Sequence, residues 1–99
     1  MKKKPNPKPT INDTCAICGR PYAMTHEVYF GNPNAALSQK YGMTIRLCYD
    51  HHQHPKTGVH FNKEFRYQMQ QEYKQKFAEM HPDLDFYSIF KSNFERKEI

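Results

Sequence analysis

The sequence is poor in the residues that build cores. Leu, Ile, Val and Phe together make 17 of its 99 residues, below the roughly one-fifth level at which a chain risks remaining unfolded. No apolar run approaches the roughly 20 residues that a helix needs to cross a bilayer, which excludes a membrane span. Met1-Lys2-Lys3-Lys4-Pro5 is charged but has no apolar segment behind it, so it does not read as a secretory signal. No internal repeat is present. A soluble, cytoplasmic protein of one domain is the expected class. Three cysteines are an odd number, and a disulfide framework would leave one thiol over.

What is present makes up part of the deficit. Seven Tyr and five Met add burial, yet a core of this size normally needs a staple. The arrangement of the cysteines points to a metal. A net charge of +5 favours polyanionic partners such as nucleic acid.

Residues 1–10 alternate Pro with Lys and Asn, which form neither helix nor ladder. They are expected to be a disordered basic arm. A single zinc domain is expected over 11–94, and 95–99 as a frayed tail. Within the domain, residues 25–30 (THEVYF) read as a strand. Gly31-Asn32-Pro33-Asn34 is a turn whose Asn34 can cap a short helix ending at Gly42. Met43 to Leu47 reads as a second strand that delivers Cys48, and Tyr49 to His54 as a short helix. Phe61, Phe65, Met69, Tyr73 and Phe77 recur every four residues, so they share one face of a long helix reaching Met80. His81-Pro82 breaks it, and Asp83 or Asp85 caps a last short helix carrying Phe86, Ile89 and Phe90.

Two constellations carry chemistry. Cys15-x-x-Cys18 and Cys48-x-x-His51 together give a Cys₃His set, the ligand count of a closed structural zinc site. His52 is an alternative fourth ligand. Adjacent residues on a helix diverge by about 100°, so with His51 on zinc His52 points elsewhere. His26 on the first strand, His52 at the helix and His60 in the following loop could then share a second divalent ion. Glu27 is expected to face solvent if His26 points inward, since strand neighbours alternate sides. His54 and His81 read as ordinary surface or core residues.

These motifs resemble those of zinc-stapled HNH endonucleases of the ββα-metal (His-Me finger) class. In that pattern CxxC precedes a strand with the catalytic His, and a second zinc pair immediately precedes a metal-binding His. HEVYFG, the loop with Asn34, and LCYDHH…GVH look most like small phage-encoded HNH-type proteins of recombination and replication modules. The likeness covers residues 14 to 62, and more loosely the helices after them. It implies an α+β fold, a small zinc-stabilised ββα-metal domain with a C-terminal amphipathic helix and a short last helix. It also implies a nuclease hydrolysing phosphodiester bonds in DNA, with phage or host recombination proteins as possible partners in a bacterial cytoplasm. The implied cofactors are a structural Zn²⁺ held by Cys15, Cys18, Cys48 and His51, and a catalytic divalent cation (Mg²⁺, Mn²⁺ or another) on His52 and His60. Either His26 is the general base, or His26 binds the ion and Glu27 is the base. Asn34 or Asn32 would orient the base from the loop.

The chain departs from the family pattern at two places: Thr25-His26-Glu27 replaces the usual His-His or Asp-His pair, and Met43 stands where the middle Asn would be. Lys2, Lys3, Lys4, Arg46 and Lys56 are the candidate phosphate contacts. The rival class is a non-catalytic zinc module that binds nucleic acid or a protein partner. A CxxC redox protein fits less well, because no βαβ pattern surrounds the motif.

Overall fold

The structure, a computed structural model, describes residues 3–94. It is a small α+β fold whose order is β1 (Met24–Glu27), α1 (Asn34–Tyr41), β2 (Thr44–Leu47), α2 (Tyr49–His52), α3 (Lys63–Met80) and α4 (Phe86–Phe90). The two strands pair antiparallel, with His26 opposite Ile45 and Met24 opposite Leu47. No helix among the described residues is long and apolar enough to cross a membrane.

The first strand is shorter than the apolar run predicts. Val28 still donates to the Met43 carbonyl, but at Tyr29 a side chain takes over. Ser38 Oγ accepts from Tyr29 N at 3.2 Å and donates to Tyr29 O at 2.7 Å. One buried hydroxyl thus satisfies both backbone groups of Tyr29 and turns the chain out of the sheet into α1. Asn34 is the first residue of that helix rather than its cap; Pro33 precedes it without a side-chain cap bond. At the other end Gly42 adopts φ +78°, the left-handed conformation that lets the chain reverse into β2.

The long helix starts two residues later than the four-residue spacing suggests. Asn62 Oδ1 accepts from Phe65 N at 3.0 Å and caps it, which leaves Phe61 outside and 59% exposed. The remaining stripe packs as expected, with Met69 and Phe77 buried and Phe65 and Tyr73 half-buried against the core. Asp85, rather than Asp83, caps α4 through Ser88 N. Tyr29, Phe77, Phe86 and Phe90 form the aromatic centre of the core, with ring centroids 4.8–6.0 Å apart. The Tyr29 hydroxyl donates to the Gln70 carbonyl and ties that centre to α3.

Residues 3–10 contain neither helix nor strand. They are nonetheless laid against the fold. Lys4 exchanges two hydrogen bonds with the Gln39 side chain on α1, Lys4 N to Oε1 at 2.8 Å and Nε2 to Lys4 O at 2.7 Å. Lys2 and the expected frayed tail 95–99 lie outside the described residues.

Candidate functional site

The Cys15–Cys18 turn is held by its own backbone. Cys15 N donates to Arg20 O, Gly19 N to Cys15 O, and Ala16 N to Arg46 O, which fixes the turn to β2. Ile17 N points at Cys15 Sγ. From the end of β2, Cys48 caps α2, and His51 follows on its first turn. The four donors therefore meet. Cys15 Sγ lies 3.7 Å from His51 Nδ1, Cys48 Sγ 3.2 Å from the same nitrogen, and Cys18 Sγ 3.6 Å from Cys48 Sγ. A tetrahedral zinc with bonds of about 2.0–2.3 Å places its ligands about 3.3–3.8 Å apart. The sulfurs are too far apart for a disulfide, which needs about 2.05 Å.

The charges agree with a cation. Burial would raise the Cys15 thiol, but main-chain hydrogen bonding around Cys48, Cys18 and Ile17 outweighs it and brings the thiol down to about 6. Cys48 is pushed up, by burial first and then by the sulfurs beside it. A dication among them removes that opposition. The expected Cys₃His set is a cluster that can hold a metal ion, and its geometry is compatible with structural zinc.

His52 turns away from this cluster, as helix geometry requires, and joins a second one. His26, His52 and His60 each offer a ring nitrogen within 4.8 Å of the others. His60 arrives by a specific route. Gly58 N donates to His54 O, Val59 N to His51 O and His60 N to His52 O, so the loop lies on the end of α2. A Cβ at Gly58 would stand 2.6 Å from His54 N and 2.8 Å from Gln53 N. Only glycine allows that approach.

The three imidazoles are neutral at pH 7. Burial, reinforced by His52 and His60, lowers His26 to about 3. Burial and then His60 lower His52 to about 4. His60 is lowered by burial and then Arg66. Neutral imidazole is the form that ligates metal. His26 Nε2 and His52 Nδ1 are buried and have no hydrogen-bond partner among the described residues, a cost of about 1–3 kcal/mol for each unmet group. His52 Nε2 and His60 Nε2 are 3.0 Å apart. That separation suits two ligands at about 90° on a six-coordinate ion with metal–nitrogen bonds of about 2.1 Å, and equally a hydrogen bond. The donor set fits a divalent ion.

Glu27 corrects the expectation of a solvent-facing carboxylate: it is only 6% exposed. Alternation fails because Glu27 ends its strand, where the arm and α1 close over it. Lys3 Nζ, Asn6 Nδ2 and Gln39 Nε2 all converge on Glu27 Oε1 at 3.1 Å. Burial alone would raise its pKa, but the hydrogen bonds from Asn6 and Lys3 outweigh it and lower it. Glu27, His52 and His60 line one cavity of about 870 Å³, together with Lys3, Asn6, Thr25, Phe30 and Asn32. Asn32 faces this cavity, whereas Asn34 is not among its lining residues.

The other candidates separate from the site. Arg46 pairs with Asp13 at 3.3 Å. His54 Nδ1 accepts from Lys56 N and Thr57 N and so shapes its own loop. His81 bonds the Tyr41 carbonyl. Lys56 is exposed on the loop before Gly58. Sequence reasoning missed Asn6 and Gln39, for which no spacing gave a signal, and Gly58, which stood beside His60 in GVH. Comparison with protein families, with curated proteins and with solved structures finds no match to this chain.

Proposed function

We propose that the protein is a metal-dependent nuclease of the HNH type, hydrolysing phosphodiester bonds in DNA. One observation carries the reading: three neutral imidazoles converge next to a separate Cys₃His knuckle, and two of them, His52 and His60, line an open cavity with the buried, ionised carboxylate of Glu27. The knuckle supplies the staple that the small core needs, which leaves the second cluster available for chemistry.

The burial of His26 favours the ligand role for it over the base role. At 1% exposure it has no access to water. Glu27 lines the cavity, and its charge acts on both His52 and His60. Glu27 is therefore the better-placed general base, because it is ionised and reaches the cavity where His26 does not. The hydrogen bonds that lower its pKa also lower its basicity. A divalent ion on His26, His52 and His60 would stabilise the charge developing on the phosphoryl group and leaving oxygen. All-imidazole ligation favours ions such as Zn²⁺, Co²⁺ or Ni²⁺ over Mg²⁺, which prefers oxygen donors. Lys3 is committed to Glu27 at 3.1 Å, so Lys4 and Lys56 are the better candidates for contacts with the phosphate backbone.

One observation favours a second reading, a zinc module that binds without cutting. The contact between His52 and His60 can close as a hydrogen bond with no ion. Metal content per chain and plasmid nicking decide between them. Two equivalents of metal, and nicking supported by Co²⁺, Ni²⁺ or Mn²⁺, are the expected result. One zinc and no nicking with any of these ions or Mg²⁺ would establish the binding module.

A further inference from the structure

The basic arm is attached at the cavity in a way that a solubilising tail would not need. Its contacts are specific and partly main-chain. The Gln39 amide accepts from Lys4 N and donates to Lys4 O, the pairing that a neighbouring β-strand would make. Pro5 and Pro7 flank Asn6 and restrict the backbone, so little conformational freedom is lost when the arm docks. The same Gln39 Nε2 reaches Glu27 Oε1 at 3.1 Å and Asn6 Oδ1 at 3.5 Å. One side chain of α1 therefore holds both the arm and the carboxylate.

We propose that the arm is a working part of the site: Gln39 latches the main chain at Lys4, so that Lys3, Asn6 and Gln39 together position the Glu27 carboxylate for its role in phosphodiester hydrolysis. This rests on the nuclease reading above. Asn6 and Gln39 are positioning residues, since they act through Glu27. A carboxylate fixed through one oxygen by three donors cannot swing toward the imidazoles or out of the cavity. A misplacement of about 1 Å in a reacting group can cost on the order of 100-fold in rate.

The test uses the full chain with its metals. Asn6→Ala and Gln39→Ala leave the net charge unchanged, so electrostatic attraction of DNA is not altered. Each should lower kcat by about 10- to 100-fold with KM for DNA within about twofold, and with zinc content and melting temperature retained. The double variant should lose little more than either single one, because the residues act on the same carboxylate. A second measurement is independent of catalysis: the Lys4 amide should exchange with solvent slowly in the wild type and rapidly in Gln39→Ala.

Random-coil exchange at Lys4 in the wild type would show that there is no latch, whatever the activity. Protected exchange with unchanged kcat in both variants would refute the positioning role. Faster cleavage by the variants would overturn it in favour of a self-inhibiting strap. A wild type that protects Lys4 yet cuts nothing would overturn the nuclease reading and this inference with it, and the exchange result would locate the error in the chemistry rather than in the latch.

Discussion

His51 and His52 are consecutive residues of α2, and their imidazoles belong to two different clusters. His51 Nδ1 is 3.2 Å from Cys48 Sγ, and His52 Nε2 is 3.0 Å from His60 Nε2. The 100° turn between neighbours on a helix lets one short element serve both centres.

Neighbouring substitutions should therefore have opposite consequences. His51→Ala should lose zinc and the cooperative melt, because the core is too small to stand without the staple. His52→Ala should keep one zinc and the fold but lose the second ion and nicking, by several orders of magnitude. Metal analysis, thermal melting and plasmid nicking read the three outcomes. If His52→Ala nicks as well as wild type, the three-His cluster is not the active centre.

Gly58 offers a subtler test of the same cluster. An added methyl would overlap His54 N and Gln53 N, and the loop must lift from α2 to relieve it. Gly58→Ala should cost about 1–3 kcal/mol of stability, the usual range for overpacking. It should weaken binding of the second ion more than that of zinc, since it displaces His60 and not a zinc ligand. Equal loss of both ions, followed by Co²⁺ absorption, would show that the loop does not control the second site.

Ser38→Ala tests what ends the first strand. It removes the hydroxyl that serves both Tyr29 N and Tyr29 O and leaves two backbone groups unmet in a fully buried place. A loss of about 2–4 kcal/mol is expected, the sum of a donor and an acceptor at roughly 1–3 kcal/mol each after partial relaxation. Denaturant unfolding measures it. A change below about 0.5 kcal/mol would mean that water replaces the hydroxyl.

What could be read from the sequence was what depends on local spacing. The CxxC and CxxH pairs, the helix stripe through Met69 and Phe77, and the divergence of His51 from His52 all follow from periodicity. Contacts between distant segments could not be read this way. Ser38 meets Tyr29 across nine residues, and Gln39 meets Lys4 across 35; no pattern marks either pair. Glu27 was misjudged for the same reason. Alternation along a strand says which face a side chain leaves from, not whether a separate segment covers that face.

Acid should destabilise the protein through the second cluster when its ion is absent. His26 and His52 have folded pKa values of about 3 and about 4, below the ordinary value near 6.5. Between these limits the unfolded chain binds more protons than the folded one. Stability from keeping the rings neutral is therefore full above about pH 6.5, and falls as the pH drops toward 4 and then 3. His26→Leu, which has no such proton to gain, should show a shallower decline over the same range. Zinc is common to both proteins, so its loss in acid cannot explain a difference in slope. Parallel melting-temperature curves from pH 7 to 5 would rule out a buried neutral His26.

The two centres should also come apart under graded chelation. The Cys₃His cluster has a full set of four donors, three sulfurs and one nitrogen, enough to complete a tetrahedron. Cys15 and Cys48 are buried and Cys18 is exposed, so its hold rests on thiolate ligation rather than on burial. The three-His cluster borders an open cavity through His52 and His60, so an ion held there would be open to water and to a chelator. A chelator should thus take the second ion first, abolishing nicking while the melting curve keeps its shape. A stronger or longer treatment that removes zinc should then collapse the fold, because thiolate ligation and folding are coupled. Re-adding Co²⁺ after the first stage should restore nicking without any refolding step. If a single stage removes both metals and the fold together, the clusters are not independent, and the division between staple and chemistry fails.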